Sequence, residues 1–384
     1  MTTSTDSNEY YQRIGAGFCG TVWARSLEGH AIKREDRGPS RSLANDFTMH
    51  SRAYEAFIDF SYAKRSMRNS LTQLHARIPQ CHQYITPQDH SWWEENLRWF
   101  PDGYAACNAI LSERIPPFPG HIRRLLVDTY CPPVIRQQIL HSASNEACLI
   151  RPYIGRQRTY GTAMNVRSRF RGFSLRNLPL HVDQMAELGI RAEDVDCYAA
   201  MMGEALATLH LIGKIDANDV EFVLAPMSRT VTGTEHNGAT DTRSSSNTIT
   251  NILGTHTMWI LDCDLCHSTS MDLKGVQQAV DAFFKNDPFC PGPHTAHWPA
   301  FRDRYLSAAE QIARIYHPDE THAIYDLARQ FIQIVETRGI KPLFKVTDDT
   351  FKGKHATDIP GLEPMSSSQV VCRLNEERNQ DQID

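Results

Sequence analysis

The sequence predicts an α+β fold in two parts, an antiparallel-sheet part over residues 11–110 and a mostly helical part over residues 121–340. Short apolar runs joined by glycine-containing turns occupy the start of the chain, which is typical of strands. Apolar residues at three-four spacing recur in the second part, which is typical of helices packed on a core. A proline-rich connector, residues 111–120, separates the two patterns, because proline cannot donate to a sheet and restricts the residue before it.

The elements of the first part follow from local pattern. Residues 11–34 predict two short strands around a tight turn, and residues 42–58 predict a helix with Ser42 as its N-cap. Residues 105–112 form an apolar run that predicts a buried strand. The polar residues 1–10 predict a disordered leader.

The second part alternates helical and strand-forming runs. Gly213 ends the clearest helical pattern in the usual C-terminal manner. Helices are predicted over residues 121–129, 134–142, 193–212, 300–316 and 320–338, and strands over 147–154, 220–225 and 258–265. Residues 228–256 are rich in Ser, Thr, Asn and Gly and predict a disordered insertion, and residues 341–384 predict a largely disordered C-terminal extension.

Composition excludes several classes of protein. The 384 residues are 41% hydrophobic and 22% charged, an ordinary globular balance that excludes wholesale disorder. No run of eighteen apolar residues occurs, so we expect no membrane span. The start of the chain lacks the features of a secretory signal, so we expect a cytoplasmic protein, with the nucleus as the other compartment. The net charge of −5 disfavours a globally basic nucleic-acid binder, and the ten cysteines are expected to be reduced.

A glycine motif stands near the N-terminus, with Gly15, Gly17, Gly20 and Val22 at G-x-G-x-x-G-x-V spacing. Glycines let a backbone approach a phosphate chain without a Cβ clash. In a dinucleotide-binding fold such a motif leads from a strand into a helix, whereas a second strand follows here. That context is typical of the loop that covers the nucleotide in protein kinases, and the alternative is a plain hairpin.

Lys33 ends the run Ala-Ile-Lys eleven residues after Val22. A lysine at the end of such a strand sits between the α- and β-phosphates in kinases. Its carboxylate partner should come from the next helix, where Asp46 and Glu55 are the candidates. Nine residues apart, these two point to opposite helix faces, so only one can serve, and we prefer Asp46.

A third segment follows the helix that ends at Gly213. Kinases place a D-x-x-x-x-N run here, whose aspartate accepts the substrate hydroxyl's proton and whose asparagine holds a metal. Counting back from the strand at 222–224 assigns Asp216 to the base and Glu221 to the metal position. Asp219 is a rival for the base. Glutamate still offers oxygen to Mg²⁺ but adds charge and length.

An apolar strand ends at Asp262, where kinases place a metal-binding aspartate, and Asp264 follows two residues later. Two carboxylates there could bind one or two Mg²⁺ ions through hard oxygen ligands. Glu113, in the connector, completes the residues assigned to the cofactor. The alternative is a strand end that only caps the next turn.

Together these segments resemble the protein-kinase-like superfamily, in particular its aminoglycoside and choline kinase branch, over residues 12–335. The resemblance implies a bilobal fold with an antiparallel-sheet N-lobe, a helical C-lobe, and ATP and Mg²⁺ as cofactors. The chain is also similar to a fungal family with a domain of unknown function, whose members are often labelled zinc finger proteins. That likeness is carried by phrases at 112–117, 148–155, 173–177, 216–222 and 284–288. It implies a role in secondary metabolism, and that Glu221 belongs to the family pattern.

Two rival functions bind something other than a nucleotide. A zinc site could use Cys263, Cys266 and His267, with His256, Cys290 or His294, but it lacks a second close pair of ligands. Local nucleic-acid binding could use an arginine-rich stretch, with Tyr153, Tyr160, Phe170 and Phe173 interleaved among Arg151, Arg156, Arg158, Arg167, Arg169, Arg171 and Arg176. The same arginines suit a pocket for an anionic small molecule, so we expect a nucleotide and a small-molecule substrate as partners.

The sequence therefore predicts transfer of the γ-phosphoryl group of ATP to a hydroxyl or amine of a small molecule. Lys33 would orient the phosphates, Asp216 the acceptor, and Asp262, Asp264 and Glu221 would hold Mg²⁺. The most serious alternative is a kinase-like fold that binds without transferring phosphate, because Glu221 departs from the kinase pattern and fold does not fix function.

Overall fold

The computed structural model describes residues 10–25, 29–36, 42–66, 74–158, 173–227 and 247–339. These residues form helices and two five-stranded sheets, one antiparallel and one mixed, so the predicted α+β class is confirmed. In this described part of the chain, no helix combines the length and apolar character needed to cross a membrane.

The first sheet is antiparallel throughout. Its strands are β1 (Gln12–Ala16), β2 (Thr21–Ala24), β3 (His30–Arg34), β4 (Cys81–Ile85) and β5 (Ala109–Glu113). They lie side by side in the order β1-β2-β3-β5-β4. Val22 pairs with Lys33 across β2 and β3, so the strand that follows the glycine turn lies next to the lysine-bearing strand.

The β1–β2 turn passes very close to the end of β3. Gly20 has φ of +155°, and a Cβ built there would lie 1.7 Å from the carbonyl oxygen of Arg34. Only glycine fits this position without displacing one of the two backbones. The turn is thereby held next to the strand end that carries Lys33.

An aromatic core covers one face of the first sheet, and Lys33 lies on the opposite face. The buried guanidinium of Arg34 lies over the rings of Trp93, Phe100 and Tyr104, at 5.0, 4.5 and 5.1 Å from their centroids. Trp93 belongs to helix α2 (His90–Asn96). Because neighbouring strand residues point to opposite faces, Lys33 projects away from this aromatic core.

Helix α1 (Leu43–Ser66) begins after Ser42, whose Oγ accepts a hydrogen bond from the Asn45 amide at 3.3 Å. The N-cap matches the sequence prediction, and the helix continues past the predicted end at residue 58. Asp46 lies in its first turn and is buried. The first turn of α1 therefore places a buried carboxylate, that of Asp46, beside the first sheet.

The second sheet is mixed and carries the other predicted site segments. Its strands are β6 (Ile150–Tyr153), β7 (Leu178–His181), β8 (Glu221–Ala225), β9 (Ile249–Asn251) and β10 (Gly254–Leu261), in the order β7-β6-β8-β10-β9. β8 and β10 are antiparallel, with Glu221 opposite Leu261. This register brings the start of β8 and the residue after β10, Asp262, to the same edge.

The remaining helices pack around an apolar core. They are α3 (Gly120–Tyr130), α4 (Arg136–His141), α5 (Val182–Glu187), α6 (Ala192–Thr208), α7 (Leu273–Lys285), α8 (Trp298–Tyr316) and α9 (Thr321–Gly339). Helices α6 and α8 approach so closely that a Cβ on Gly203 would lie 2.3 Å from the carbonyl oxygen of Phe301. A π-helical turn, Leu209–Gly213, extends α6 to the predicted stop.

A buried ion cluster ties three helices together. The carboxylate of Glu204 on α6 contacts the ammonium of Lys64 on α1 and the guanidinium of Arg304 on α8. The three side chains are 5%, 12% and 14% exposed, so solvent screens the cluster weakly. It connects the end of α1 to the helical core.

The connector between β5 and α3 is shorter than predicted. Residues 111–113 belong to β5 and α3 starts at Gly120, so the proline-containing segment between these elements is shorter than the predicted connector 111–120. β5 is paired on both sides, with β3 and with β4, and these pairings continue up to Glu113. Sheet pairing therefore holds the chain in a strand until the proline-containing segment begins.

Part of the predicted insertion is ordered. Residues 249–251 and 254–261 form a hairpin, with Ile249 opposite His256, so the disorder predicted there is wrong. Gly254, with φ of +75°, makes the tight turn between the two strands. The rest of the predicted insertion, 228–246, lies outside the described residues, as do most of the predicted leader and the C-terminal extension.

Candidate functional site

Three residues from separate parts of the chain meet at Lys33. Its Nζ lies 2.6 Å from Oδ2 of Asp46 and 2.8 Å from Oδ1 of Asp262. Burial lowers the pKa of Lys33, but the two carboxylates, Asp262 first, outweigh it and hold that pKa well above the usual value. Of the two candidate partners on α1, the structure brings Asp46 to the lysine, whereas Glu55 is exposed.

The glycine turn between β1 and β2 lies beside this cluster. Its glycines and Val22 lie along β1, the turn and β2, and the amide of Gly17 donates to the carbonyl of Gly20 at 2.8 Å. From the tip, the buried Cys19 thiol donates to Oδ2 of Asp264 at 2.8 Å. The turn therefore contacts the acidic segment that follows β10.

Strained backbone is concentrated in the predicted site segments. Ala217, Asp219 and Asp262 have φ of +56°, +63° and +66°, a left-handed region that non-glycine residues rarely adopt. At Asp262 the strain is supported by a hydrogen bond from the Cys263 amide to Oδ1 of Asp46, at 3.0 Å. Strain of this kind persists where the surroundings impose it, and it is concentrated at functional sites.

Glu221 lies at the same sheet edge but is already paired. Its carboxylate contacts the guanidinium of Arg151 on β6, and the two side chains are 17% and 22% exposed. Burial raises the pKa of Glu221, the Arg151 guanidinium lowers it, and the negative charges of Asp262 and Asp219 raise it further. The residue assigned to a metal thus lies near Asp262 with a permanent cation beside it.

Asp216 is buried in a different set of contacts. Its Oδ1 accepts from the amides of Asn218 at 3.1 Å and His267 at 2.9 Å, and its Oδ2 accepts from Nε2 of Gln278 at 2.9 Å. These hydrogen bonds occupy lone pairs of the Asp216 carboxylate that a catalytic base would need to accept a proton. The structure joins Lys33 and Asp262 directly, whereas Asp216 is held by the loop after Asp264 and by α7.

A cavity of about 490 Å³ opens beside Asp216. Most of its lining residues are polar or charged, and the two lysines are matched by two aspartates; the lining is Asp216, Asn218, His267, Lys274, Gln277, Gln278, Asp281, Ala282 and Lys285. Its volume lies within the range of small-molecule sites in proteins. Neither Lys33 nor Asp262 is among the lining residues.

The rival base Asp219 lies on the other side of the same loop. Its amide donates to Oδ1 of Asn286 at 2.6 Å, which fixes the strained backbone. Its charge is close enough to Glu221 to raise the pKa of that carboxyl, whose larger causes are burial and Asp262. Glu221 is therefore close enough to interact with two other carboxylates, those of Asp219 and Asp262, at the edge of the second sheet.

Glu113 is placed at the far end of β5, opposite His30 on β3. Its amide donates to the carbonyl of Gln80 at 2.8 Å, and its carboxylate accepts from the Gln80 amide at 3.2 Å. Glu113 thus holds the end of β5 to the segment that precedes β4.

The arginine-rich stretch is partly described. Arg151 pairs with Glu221, and Arg158 pairs with Asp183 and Glu187. Two arginines of the stretch therefore form ion pairs within the chain. Arg167, Arg169, Arg171, Tyr160 and Phe170 lie outside the described residues.

The candidate zinc ligands do not assemble. Within the described ranges, no three His, Cys, Asp or Glu side chains are arranged to hold a metal ion. Cys266 donates to the carbonyl of Asn218, and His256 bonds to Tyr198 and to the Gly254 carbonyl. His294 instead contacts the carbonyl of Gly339.

His210, at the end of α6, is a core residue with a testable pH effect. Burial lowers its pKa to about 4, and its Nδ1 lies 3.0 Å from the Tyr305 hydroxyl. Between pH 6.5 and 4 the unfolded chain binds a proton there that the folded chain excludes. We therefore expect stability to fall with acid across this window, by up to about 3 kcal/mol at ~1.4 kcal/mol per pH unit.

Urea unfolding of the native chain and of His210→Gln from pH 7.5 to 4.5 would measure this effect. The variant should show a flatter fall in unfolding free energy with acid. Equal slopes in the two proteins would contradict the assignment.

Three contacts of the site had no clear signal in the sequence. Cys19 is one of ten scattered cysteines, Arg151 is one of many arginines, and Gln278 lies on an ordinary amphipathic helix. Only the alternation of β6 could have indicated that Arg151 shares a sheet face with a neighbour on β8. Each of the three is defined by a partner far away in the sequence.

Comparison with known proteins gives one likeness. Residues 258–317 match DUF3669, a family described as "Zinc finger protein", which confirms the predicted likeness to proteins with that label over this stretch. The match includes the second half of β10, Asp262, Asp264 and all of α7 and α8. No curated protein and no solved structure matches the chain.

Proposed function

We propose that the chain binds ATP with Mg²⁺ between its two sheets and transfers the γ-phosphoryl group to a hydroxyl or amine of a small molecule. The observation that carries this proposal is the contact of Lys33 Nζ with both Asp46 and Asp262, at 2.6 and 2.8 Å. In kinases a strand lysine paired to a helix carboxylate contacts the phosphates, and a strand-end aspartate holds the metal.

The kinase-like bilobal arrangement is part of the same proposal. It is supported by an antiparallel first sheet that begins with a glycine turn and carries Lys33 on its third strand. It is also supported by the β8–β10 hairpin, which ends at Asp262, and by the mostly helical remainder. We also propose secondary metabolism as the source of the acceptor, as the resemblance of the sequence to a fungal family implies.

The donors at the site fit Mg²⁺. Asp262 and Asp264 bring carboxylate oxygens, the hard ligands that this ion prefers, to the end of β10. When bound, the ion would supply positive charge to the phosphates. Lys33 would orient the α- and β-phosphates, and the backbone of the glycine turn would cover them.

The acceptor is proposed to lie near the strained loop at 216–219. Asp216 lines a cavity of small-molecule size, and its lysines, Lys274 and Lys285, would contact an anionic group of the acceptor. Its three hydrogen bonds favour a role in holding the loop, so Asp219 is the better candidate to receive the acceptor's proton. Catalysis would consist mostly of positioning and charge neutralisation.

Nucleotide binding without transfer is the second candidate, and one observation favours it. Glu221, in the position of a metal-binding asparagine, is held by Arg151. A carboxylate committed to a guanidinium is a weaker metal ligand, and the metal arrangement needed for transfer would be incomplete. Such a protein would act as a binding or scaffolding module.

Thermal unfolding of the full chain with increasing ATP, with and without Mg²⁺, would test the proposal. Binding to the folded chain alone stabilises it by about 2.7 kcal/mol at a ligand concentration of 100 Kd. We expect a rise in Tm that needs Mg²⁺ and that Asp262→Asn removes, while Asp303→Asn, an exposed carboxylate on α8, retains it. No rise in the native chain would overturn nucleotide binding.

Phosphoryl transfer separates the two candidates once binding is seen. The chain would be incubated with ATP, Mg²⁺ and a panel of hydroxylated and amino compounds with and without anionic groups, and ADP and phosphorylated product would be measured. Acceptor-dependent ADP formation supports transfer. Binding with no product from any acceptor supports the silent module.

A further inference from the structure

The edge of the second sheet carries a cation of its own, Arg151. Its guanidinium contacts Glu221, and Glu221 lies opposite Leu261, one residue before Asp262. Both members of the pair are largely removed from solvent, at 22% and 17% exposure, so their charges interact more strongly than a surface pair would. The positive charge is therefore beside the proposed phosphate site before any ligand arrives.

The pair changes what Glu221 can do for a metal. Kinases use two Mg²⁺ ions, one held by the strand-end aspartate and one completed by the asparagine of the preceding loop. In this chain the corresponding glutamate already neutralises a guanidinium, and a divalent ion at its oxygens would face that guanidinium at close range. Like charges at such a distance repel, and removing Glu221 from Arg151 would leave a buried cation unpaired.

Arg151 also has unused hydrogen-bonding capacity. Its Nε–H is buried and has no acceptor within the described part of the chain. The planar guanidinium binds phosphate and carboxylate oxygens through several donors at once. Glu221 contacts Nη2 and 22% of the Arg151 side chain remains exposed, so we assign phosphate binding to guanidinium donors other than the buried Nε.

We propose that Arg151, fixed by Glu221, replaces the second divalent cation, so that the chain binds ATP with one metal ion, held by Asp262 and Asp264. This inference rests on the proposed nucleotide site. It makes Arg151 a phosphate-binding residue and Glu221 its positioning residue. Glu221 is then removed from the set of metal ligands that the sequence indicates.

Counting bound Mn²⁺ tests the inference without measuring turnover. Mn²⁺ would be titrated into the full chain with the non-hydrolysable analogue AMP-PNP, and the bound ions would be counted by electron paramagnetic resonance. We expect one Mn²⁺ per bound nucleotide and no spin-coupled pair in the native chain. We expect Arg151→Gln, which frees Glu221, to bind a second ion and to show the coupled signal.

Three further variants make the result specific. Arg151→Lys keeps the charge and should remain at one ion, and Arg151→Gln combined with Glu221→Gln should return to one. Arg158→Gln, which breaks a different arginine pair on the same stretch, should match the native chain. Two ions in the native chain, or one ion in Arg151→Gln, would overturn the inference alone, whereas failure of AMP-PNP to bind would overturn the proposed nucleotide site as well.

Discussion

Lys33→Met is expected to reduce the ATP-induced rise in Tm sharply. The ammonium of Lys33 is the cation that joins β3, α1 and the end of β10. Methionine has a similar length but offers neither charge nor donor to the phosphates. Charge-assisted hydrogen bonds contribute about 1.5–3 kcal/mol each, so we expect ATP affinity to fall by at least about tenfold, as measured by isothermal titration calorimetry.

The same substitution leaves Asp46 buried without its cation, so loss of stability must be separated from loss of binding. Asp46 has only 3% of its side chain exposed, and removing one partner of a buried pair costs about 3–5 kcal/mol. The double variant Lys33→Met with Asp46→Asn should recover much of the stability of the ligand-free chain and still bind ATP at least about tenfold more weakly than the native chain. A double variant that binds ATP as the native chain does would refute the role of Lys33.

Glu204→Leu is expected to destabilise the fold by about 3–5 kcal/mol, which is a large part of the stability of a typical domain. The substitution leaves Lys64 and Arg304 as buried cations without a counter-charge. The ammonium of Lys64 would retain its contact with the Phe60 ring at 4.5 Å, which replaces only a small part of the lost attraction. Urea unfolding followed by circular dichroism would measure the change.

A triple substitution shows whether the loss comes from unpaired charge or from the position itself. Lys64→Met, Glu204→Leu and Arg304→Met together replace the cluster by apolar side chains of similar volume. Such replacements are often neutral or stabilising, so we expect the triple variant to be more stable than Glu204→Leu alone. A loss below about 1 kcal/mol in Glu204→Leu would show that the cluster contributes little to joining the three helices.

Local pattern predicted much of the fold. The Ser42 cap and the Gly213 stop follow from signals within a few residues, and α1 and α6 begin or end where those signals lie. The hairpin at 249–261 was missed because the Ser- and Thr-rich residues before it have the composition of a loop. The connector was misplaced because pairing on both sides keeps residues 111–113 in β5.

The sequence predicted some residues of the candidate site but not the partners that they contact. Motif spacing identified Lys33, Asp46 and Asp262, because each stands at a fixed distance from a strand or helix signal. It assigned Asp216 by counting along the chain, and counting does not reveal that Gln278 donates to the same carboxylate. The assignment of Glu221 likewise could not include its partner, 70 residues away.

The sequence by itself determined the α+β class, the strands and helices with the strongest local pattern, and the kinds of chemical group that stand at strand ends and turns. These depend on periodicity, capping and backbone freedom, which act over a few residues. Only the tertiary structure decided which groups face one another: Lys33 with Asp46 and Asp262, Cys19 with Asp264, and Glu221 with Arg151. Sheet register and helix packing create these contacts, and both depend on side chains that are far apart in the chain.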